Sequence, residues 1–289
     1  TSPEEIPVLA AQAFQQLLST RFPERAISLA KEIAATKPDL IGLQEVSLIR
    51  IQDPGDAVTG GTTPAEDVFM DYLDILMQTM DAMGLNYEVA SVVENADVEL
   101  PMLTGTNPLT FADIRLTDHD VILVREGVTF SDVVSQNFTY NLEIPELGVE
   151  ILRGYTAIDA RVGKTEYRFV NTHLEPFAQP IKVAQAQELL GSLQDEELPV
   201  IMLGDFNSRA DGGEVYNMIV SQGYQDIWLE NALDDNPEGY TYGHDPDLRN
   251  ETVNFYKRID HIYFRKGQNV TPLLVHAVVV GDEQFNRTA

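Results

Sequence analysis

PVIMLGDFNS, residues 199–208, is the stretch from which the rest of this chain can be read. Val200, Ile201, Met202 and Leu203 form a short apolar run suited to a buried strand, and the run ends on Gly204, an acid, an aromatic and an amide. Side chains alternate along a strand, so Asp205 and Asn207 project together from its end. Two polar groups placed in this way can orient a water or a phosphoester. An ordinary turn uses the same residue types, so the stretch alone leaves both readings open.

Three further strands end in the same manner. "LIGLQEV" reads as an apolar strand whose penultimate residue is Glu45, and the simplest reading of Glu45 is an exposed acid at a strand edge. "YRFVNTHLEP" puts Asn171 and His173 on one side of a strand, where a lone histidine commonly serves as a hydrogen-bonded structural residue. "YKRIDHIYFR" puts Arg258, Asp260, Ile262 and Phe264 on one face and Ile259, His261 and Tyr263 on the other. An acid among apolar neighbours is costly unless paired, so Asp260 is expected to be buried and to meet solvent, Arg258 or a metal.

Between these strands the periodicity switches repeatedly. Helices are predicted over residues 24–36, 67–83 (ended by Gly84), 181–193 and near 213–222, and strands over 87–93, 120–125, 156–162, 167–174 and near 255–265 and 270–280. Met70, Met77, Met80 and Met83 read as adaptable core filler. Residues 52–67 and 95–110, rich in Gly, Pro, Asp and Thr, read as long loops of the kind that bind ligands. The mixed order predicts sheets covered by helices, and hairpin connections argue against a purely parallel sheet.

Composition narrows the function. The 289 residues, 44% hydrophobic, suffice for one large α/β domain or two small ones. A formal net charge of −27, from 46 acids against 19 Lys and Arg, repels polyanions and disfavours tight nucleic-acid binding. With no cysteine, disulfides, thiolate nucleophiles and zinc–thiolate sites are excluded. No apolar stretch approaches the roughly 18 residues of a membrane span, and TSPEEIPVLA lacks the basic and apolar regions of an export signal. A removed signal leaves no trace, and a secreted or periplasmic monomer is the expectation.

Taken together, "IGLQEV", "NTHLEP", "GDFNS" and "RIDHIYF", in this order, resemble the endonuclease/exonuclease/phosphatase superfamily with the deoxyribonuclease I-like fold. The resemblance runs from about Pro38 to Phe264 and extends to "VAQAQELL", "RLTDHDVILVR" and "GYTYGHDPDLRN", most closely among bacterial members. It implies an α/β (α+β) fold, a four-layer sandwich of two mixed β-sheets flanked by helices. It also implies a divalent-metal-dependent phosphoester hydrolase, using magnesium or else manganese or calcium. In that pattern Glu45 binds the metal and Asp205 orients or deprotonates the attacking water. Asn207 holds a phosphate oxygen, and His173 contacts the scissile phosphate or helps the leaving group. Asp260 orients a catalytic histidine, and Tyr242 and His244 lie in a segment that lines the substrate pocket, unless they belong to an ordinary polar loop. His119 and His276 receive no role.

The chain departs from the pattern at its ends. The family's Ser-Asp-His motif is not found in "VVVGDEQFNRTA", nor a Thr-Tyr-Asn or Thr-Trp-Asn strand near the amino end. The "DH" at 260–261 is no substitute, because on a regular strand the two side chains face opposite ways. Residues 1–289 are therefore expected to be a single domain lacking its first and last strands, or a noncatalytic member that binds a phosphate ligand. The expected substrate is a small or lipid-head-group phosphoester, with nuclease activity disfavoured by charge.

Overall fold

In the stretch from Leu109 to Arg125, Val121, Ile122, Leu123 and Val124 are all fully buried, so this strand is covered on both faces. The computed structural model describes residues 3–145, 148–230, 238–248, 250, 252, 254–267 and 276–280. Two helices, α1 (Ile6–Ser19) and α2 (Phe22–Thr36), precede β1 (Leu40–Leu43), β2 (Leu48–Gln52), β3 (Asp67–Asp71) and α3 (Tyr72–Ala82). Then come β4 (Tyr87–Thr106), β5 (Leu109–Arg125), β6 (Thr129–Asn137), β7 (Leu142–Ile144), β8 (Val149–Ile151), β9 (Gly154–Val162) and β10 (Thr165–His173). Helix α4 (Gln179–Ser192), β11 (Val200–Asp205), α5 (Glu214–Ser221), β12 (Gln225–Asp226), α6 (Ile227–Glu230) and β13 (Asp260–Arg265) complete the described elements.

The strands form two main sheets. A five-stranded sheet runs β1-β5-β2-β3 with β4 on β5, and a six-stranded sheet runs β12-β13-β11-β10-β9-β6. The central strands of each sheet are covered on both faces, which gives four layers. Ala26, Ala30, Leu76 and Met80 of α2 and α3 pack on Val121 and Leu123 of the first sheet. Ile122 and Val124 point the other way, against Ile158, Ala160 and Phe169 of the second sheet. Leu189, Val215 and Ile219 of α4 and α5 close the far side over Val170, Met202 and Tyr263. Burying each such aliphatic side chain contributes roughly 1.5–3 kcal/mol, which makes these three seams the main cohesive term.

Several expectations are corrected. Residues 67–71 are strand, and helix α3 begins only after Asp71, whose carboxylate caps the Asp74 N–H at 3.1 Å. The anticipated loop at 95–110 is instead the tip of the long β4–β5 hairpin, because both strands continue past their core segments as a ribbon. Met80 is fully buried and Met70 and Met77 pack against the core, whereas Met83 is 41% exposed and fills nothing. Parallel pairing, expected in both sheets, occurs among the described residues only between β10 and β11, and the first sheet's pairings are antiparallel. Most of the strand expected near 270–280 lies outside the described residues.

Strand β5 positions the site. Along one edge it pairs with β2 through residues 113–117 and with β1 through residues 121–124. Residues 118–120 lie at the changeover, where the β1–β2 connection crosses and Val46 N–H donates to the His119 carbonyl at 2.9 Å.

Candidate active site

Strand alternation delivers two carboxylates and a histidine to one end of the inter-sheet space, and an inter-strand connection adds a third carboxylate. On β11, Met202 faces the outer helices while Ile201 and Leu203 face the other sheet, so Asp205 continues the inner row. Asp205 is the direct partner of His173 on β10 and of Asp260 on β13. Glu45 arrives from the first sheet on the connection that crosses β5. It is exposed, with φ of 56°, a conformation that non-glycine residues seldom adopt.

The GDFNS turn is built by close backbone contact. Gly204 has φ of 146°, and a Cβ there would lie 1.8 Å from the Thr172 carbonyl oxygen. Asn207 takes φ of 48°, its own N–H donates to Asp205 Oδ1 at 2.8 Å, and its Nδ2 donates to the Leu174 carbonyl at 2.9 Å. Buried Lys182 on α4 donates to the Asn207 carbonyl at 2.7 Å. The turn is therefore gripped from both sides. One Asn207 amide hydrogen is committed to Leu174, and the second is not required by that bond.

Electrostatics at this end is dominated by acids. Burial, then Asp260 and Glu45, push the Asp205 carboxyl up to about 7, against the Asn207 N–H that lowers it. Burial also raises Asp260, while the Thr241 hydroxyl, which donates to its Oδ2, and Lys257 pull it down. His173 is pushed down to about 3 by burial and by the positive charge of Arg153. Glu45 raises Asp118 and Asp120 as well, so its charge is felt by four aspartates.

Asp260 accepts from the Thr241 hydroxyl and is not paired with Arg258, one of the three partners expected for it. Arg258 precedes the strand and turns to the opposite side, where it forms a two-pronged pair with Asp226 at 2.9 and 2.7 Å and meets His261 Nδ1 at 3.1 Å. His261 is buried beside Tyr216 and Tyr263, away from the carboxylates, as strand alternation required. Tyr242 borders the site through Thr241 and lies under Lys257 Nζ, 3.8 Å from its ring centre. His244 is engaged with Asn250 Oδ1 at 3.1 Å and with the Phe255 ring. Pro246 and Leu248, not Tyr242 or His244, line the neighbouring cleft of 790 Å³. That cleft has Glu45, Asp118 and Arg153 at its polar end and Leu17, Phe22 and Tyr72 along its apolar wall.

Residues without an individual role in the sequence reading complete the site. Asn171, fully buried, donates through Nδ2 to the Leu43 carbonyl at 2.9 Å and the Val121 carbonyl at 3.1 Å, and accepts from Gln44 Nε2 at 2.5 Å. It ties the two sheets together one residue before Glu45. Gly42 permits this approach, since a Cβ there would lie 2.3 Å from Leu203 Cδ1. Asp118, Asp120 and His173 are buried with ligand atoms within 4.8 Å of one another, a spacing able to hold a metal ion. Their signal was the Asp-x-Asp alternation in "RLTDHDVILVR", two acids on one face just before an apolar strand.

The comparisons agree with this architecture. The profile of the Endonuclease/Exonuclease/phosphatase family matches residues 17–282. The chain belongs to that family, whose members are hydrolases of phosphoesters and generally use divalent metals. Among solved structures, it is similar to a mannosyl-6-phosphatase from Bacteroides thetaiotaomicron, at 19% identity and TM-score 0.52, over 84% of this chain and 77% of that one. A second Bacteroides thetaiotaomicron family member gives 18% identity and TM-score 0.52, over 84% and 74% of the two chains. A member from Leptotrichia buccalis gives 19% identity and TM-score 0.49, over 84% and 81%. No curated protein matches the chain in sequence. No helix among the described residues is long and apolar enough to cross a membrane.

Proposed function

We propose that this chain is a divalent-metal-dependent hydrolase of small or lipid-linked phosphoesters. The observation that carries the reading is the Asp205–Asp260 pair: two carboxylates face each other at the last rung of a ladder, and Asp205 is raised to about 7. A carboxylate with affinity for a proton near neutrality suits a base that accepts one from an attacking water. The Asn207 N–H, on Asp205 Oδ1, orients it. In this reading the second amide hydrogen of Asn207 and the Nε2 of His173, which lies 3.7 Å from Asp205 Oδ2, would hold phosphoryl oxygens.

The donor set fits a hard cation. Exposed Glu45 supplies carboxylate oxygens close enough for its charge to raise both Asp205 and Asp260, so hard oxygen donors converge at this end of the inter-sheet space. Glu45 would hold the ion, which when bound supplies charge neutralisation at the phosphoryl group. Magnesium is the proposed ion, with manganese or calcium as alternatives. The net charge of −27 and the apolar wall of the cleft favour small or lipid-linked esters over a polynucleotide.

A phosphoester screen with magnesium, manganese and calcium, including a sugar 6-phosphate and a lipid phosphodiester, tests the proposal with Asp205→Asn as control. Turnover that Asp205→Asn abolishes is expected. Phosphate binding without turnover of any ester would leave the domain as a binder and not an enzyme.

A further inference from the structure

Asp118, Asp120 and His173 surround a cation that is already part of the chain. Arg153, just before β9, places one guanidinium nitrogen, NH1, 3.3 Å from Asp118 Oδ2 and 3.0 Å from His173 Nδ1. An arginine has five N–H donors and no lone pair to offer, and it keeps its charge at every working pH. A contact of 3.0 Å between it and a ring nitrogen therefore requires that nitrogen to be the acceptor. A neutral imidazole has one N–H and one acceptor, so the proton of His173 must sit on Nε2. Nε2 is the atom that faces Asp205 Oδ2, at 3.7 Å, too long for a hydrogen bond between the two.

We infer that Arg153 is a positioning residue that holds His173 as a neutral ring with its proton on Nε2, so that His173 donates to a bound phosphoryl oxygen and cannot serve as the base. The lone pair that a base would use is occupied by Arg153. Proton acceptance from water is thereby left to Asp205, and the Asp118–Asp120–His173 cluster is filled by guanidinium rather than by metal. Asp118 holds Arg153 in turn, which explains why an acid lies deep behind a phosphate site. Burial and then Asp118 raise the carboxyl of the fully buried Asp120, while the Asn95 amide and the charge of Arg153 pull it down, so the guanidinium is also felt by the remaining acid of the cluster. The inference deepens the hydrolase reading and rests on it for the phosphoryl acceptor, but the ring's protonation is read without substrate.

The chain contains its own reference. His261, equally buried, has Arg258 at Nδ1 (3.1 Å) and the Ser208 carbonyl at Nε2 (2.8 Å), so its proton is fixed on Nε2 from both ends. Long-range proton–nitrogen NMR on protein labelled with ¹⁵N-histidine resolves the state of each of the five rings, and His173→Gln assigns the signal. In the parent protein at neutral pH, His173 is expected to show the same Nε2–H pattern as His261. In Arg153→Met the ring is left among Asp118, Asp120 and Asp205 and is expected to gain a proton on Nδ1, while Arg153→Lys restores the parent pattern and His261 is unmoved in both. A parent ring protonated on Nδ1, or on both nitrogens, overturns the inference without any variant, as does an unchanged His173 pattern in a folded Arg153→Met. Failure of the substrate screen alone would remove the hydrolase reading and leave the ring assignment standing.

Discussion

Asp205 on β11 and Asp260 on β13 are direct partners at the end of an antiparallel ladder, and burial pushes both carboxyls above their ordinary range. Like charges in that position destabilise a ladder. The arrangement costs the fold stability, a cost consistent with the role proposed for these two acids at a cation and a water.

Asp205→Asn keeps shape and hydrogen bonding but removes the proton acceptor. Turnover on any ester found by the screen is expected to fall at least about a hundredfold, the range of a general base. A loss of less than about threefold would return GDFNS to the status of an ordinary turn.

The same variant has a signature in stability. The folded Asp205 pKa, about 7, lies above its unfolded value, so its neutral form stabilises the fold at acid pH and that contribution is lost as pH rises through about 7. In chelator, the melting temperature of Asp205→Asn should match that of the parent near about pH 4 and exceed it near about pH 8, by roughly 2–4 °C per kcal/mol relieved. Using the difference between the proteins cancels the opposite trend from His173, whose depressed pKa withdraws stability as pH falls below its unfolded value. A difference independent of pH would contradict the assignment.

Glu45→Gln preserves size and removes the charge that attracts a hard cation. Calorimetric titration with magnesium should show weakened binding with the melting temperature unchanged in chelator. Equal affinity in both proteins would take Glu45 out of the metal site.

Asn171→Ala leaves the buried Val121 carbonyl and the part-buried Leu43 carbonyl without the amide that now serves them, at roughly 1–3 kcal/mol for the buried one. Urea unfolding should show a lower midpoint with little change in slope, and magnesium affinity should fall because Gln44 loses its anchor. Stability within about 0.5 kcal/mol of the parent, the range of an uninvolved surface site, would refute the clamp.

Strands that end abruptly in polar residues made most of this legible beforehand. Alternation from Asn171 to His173 gave the face these two share because a strand's period is rigid, whereas alternation does not carry from Asp205 to Asn207, since β11 ends at Asp205 and Asn207 takes φ of 48°. The interior of the hairpin was misread because Gly, Pro and Thr in residues 95–110 carry turn chemistry, while the ribbon they form is held by pairing to its own partner strand, which local composition does not report. Arg153 and Lys182 were missed for a related reason. Each acts through one contact with a residue far along the chain, and nothing in their immediate neighbours marks that contact.

The changeover along β5 has a metrical consequence. β1 and β2 both hydrogen-bond to this one strand, and only residues 44–47 join them. The connection behaves as a ruler whose two ends are pinned to the same bar. Adding or removing one residue would slip one ladder by a step, turning its side chains to the opposite face. Length, as much as residue identity, is what keeps Glu45 at the mouth of the site, so a related chain could vary the letters of this connection far more freely than their number.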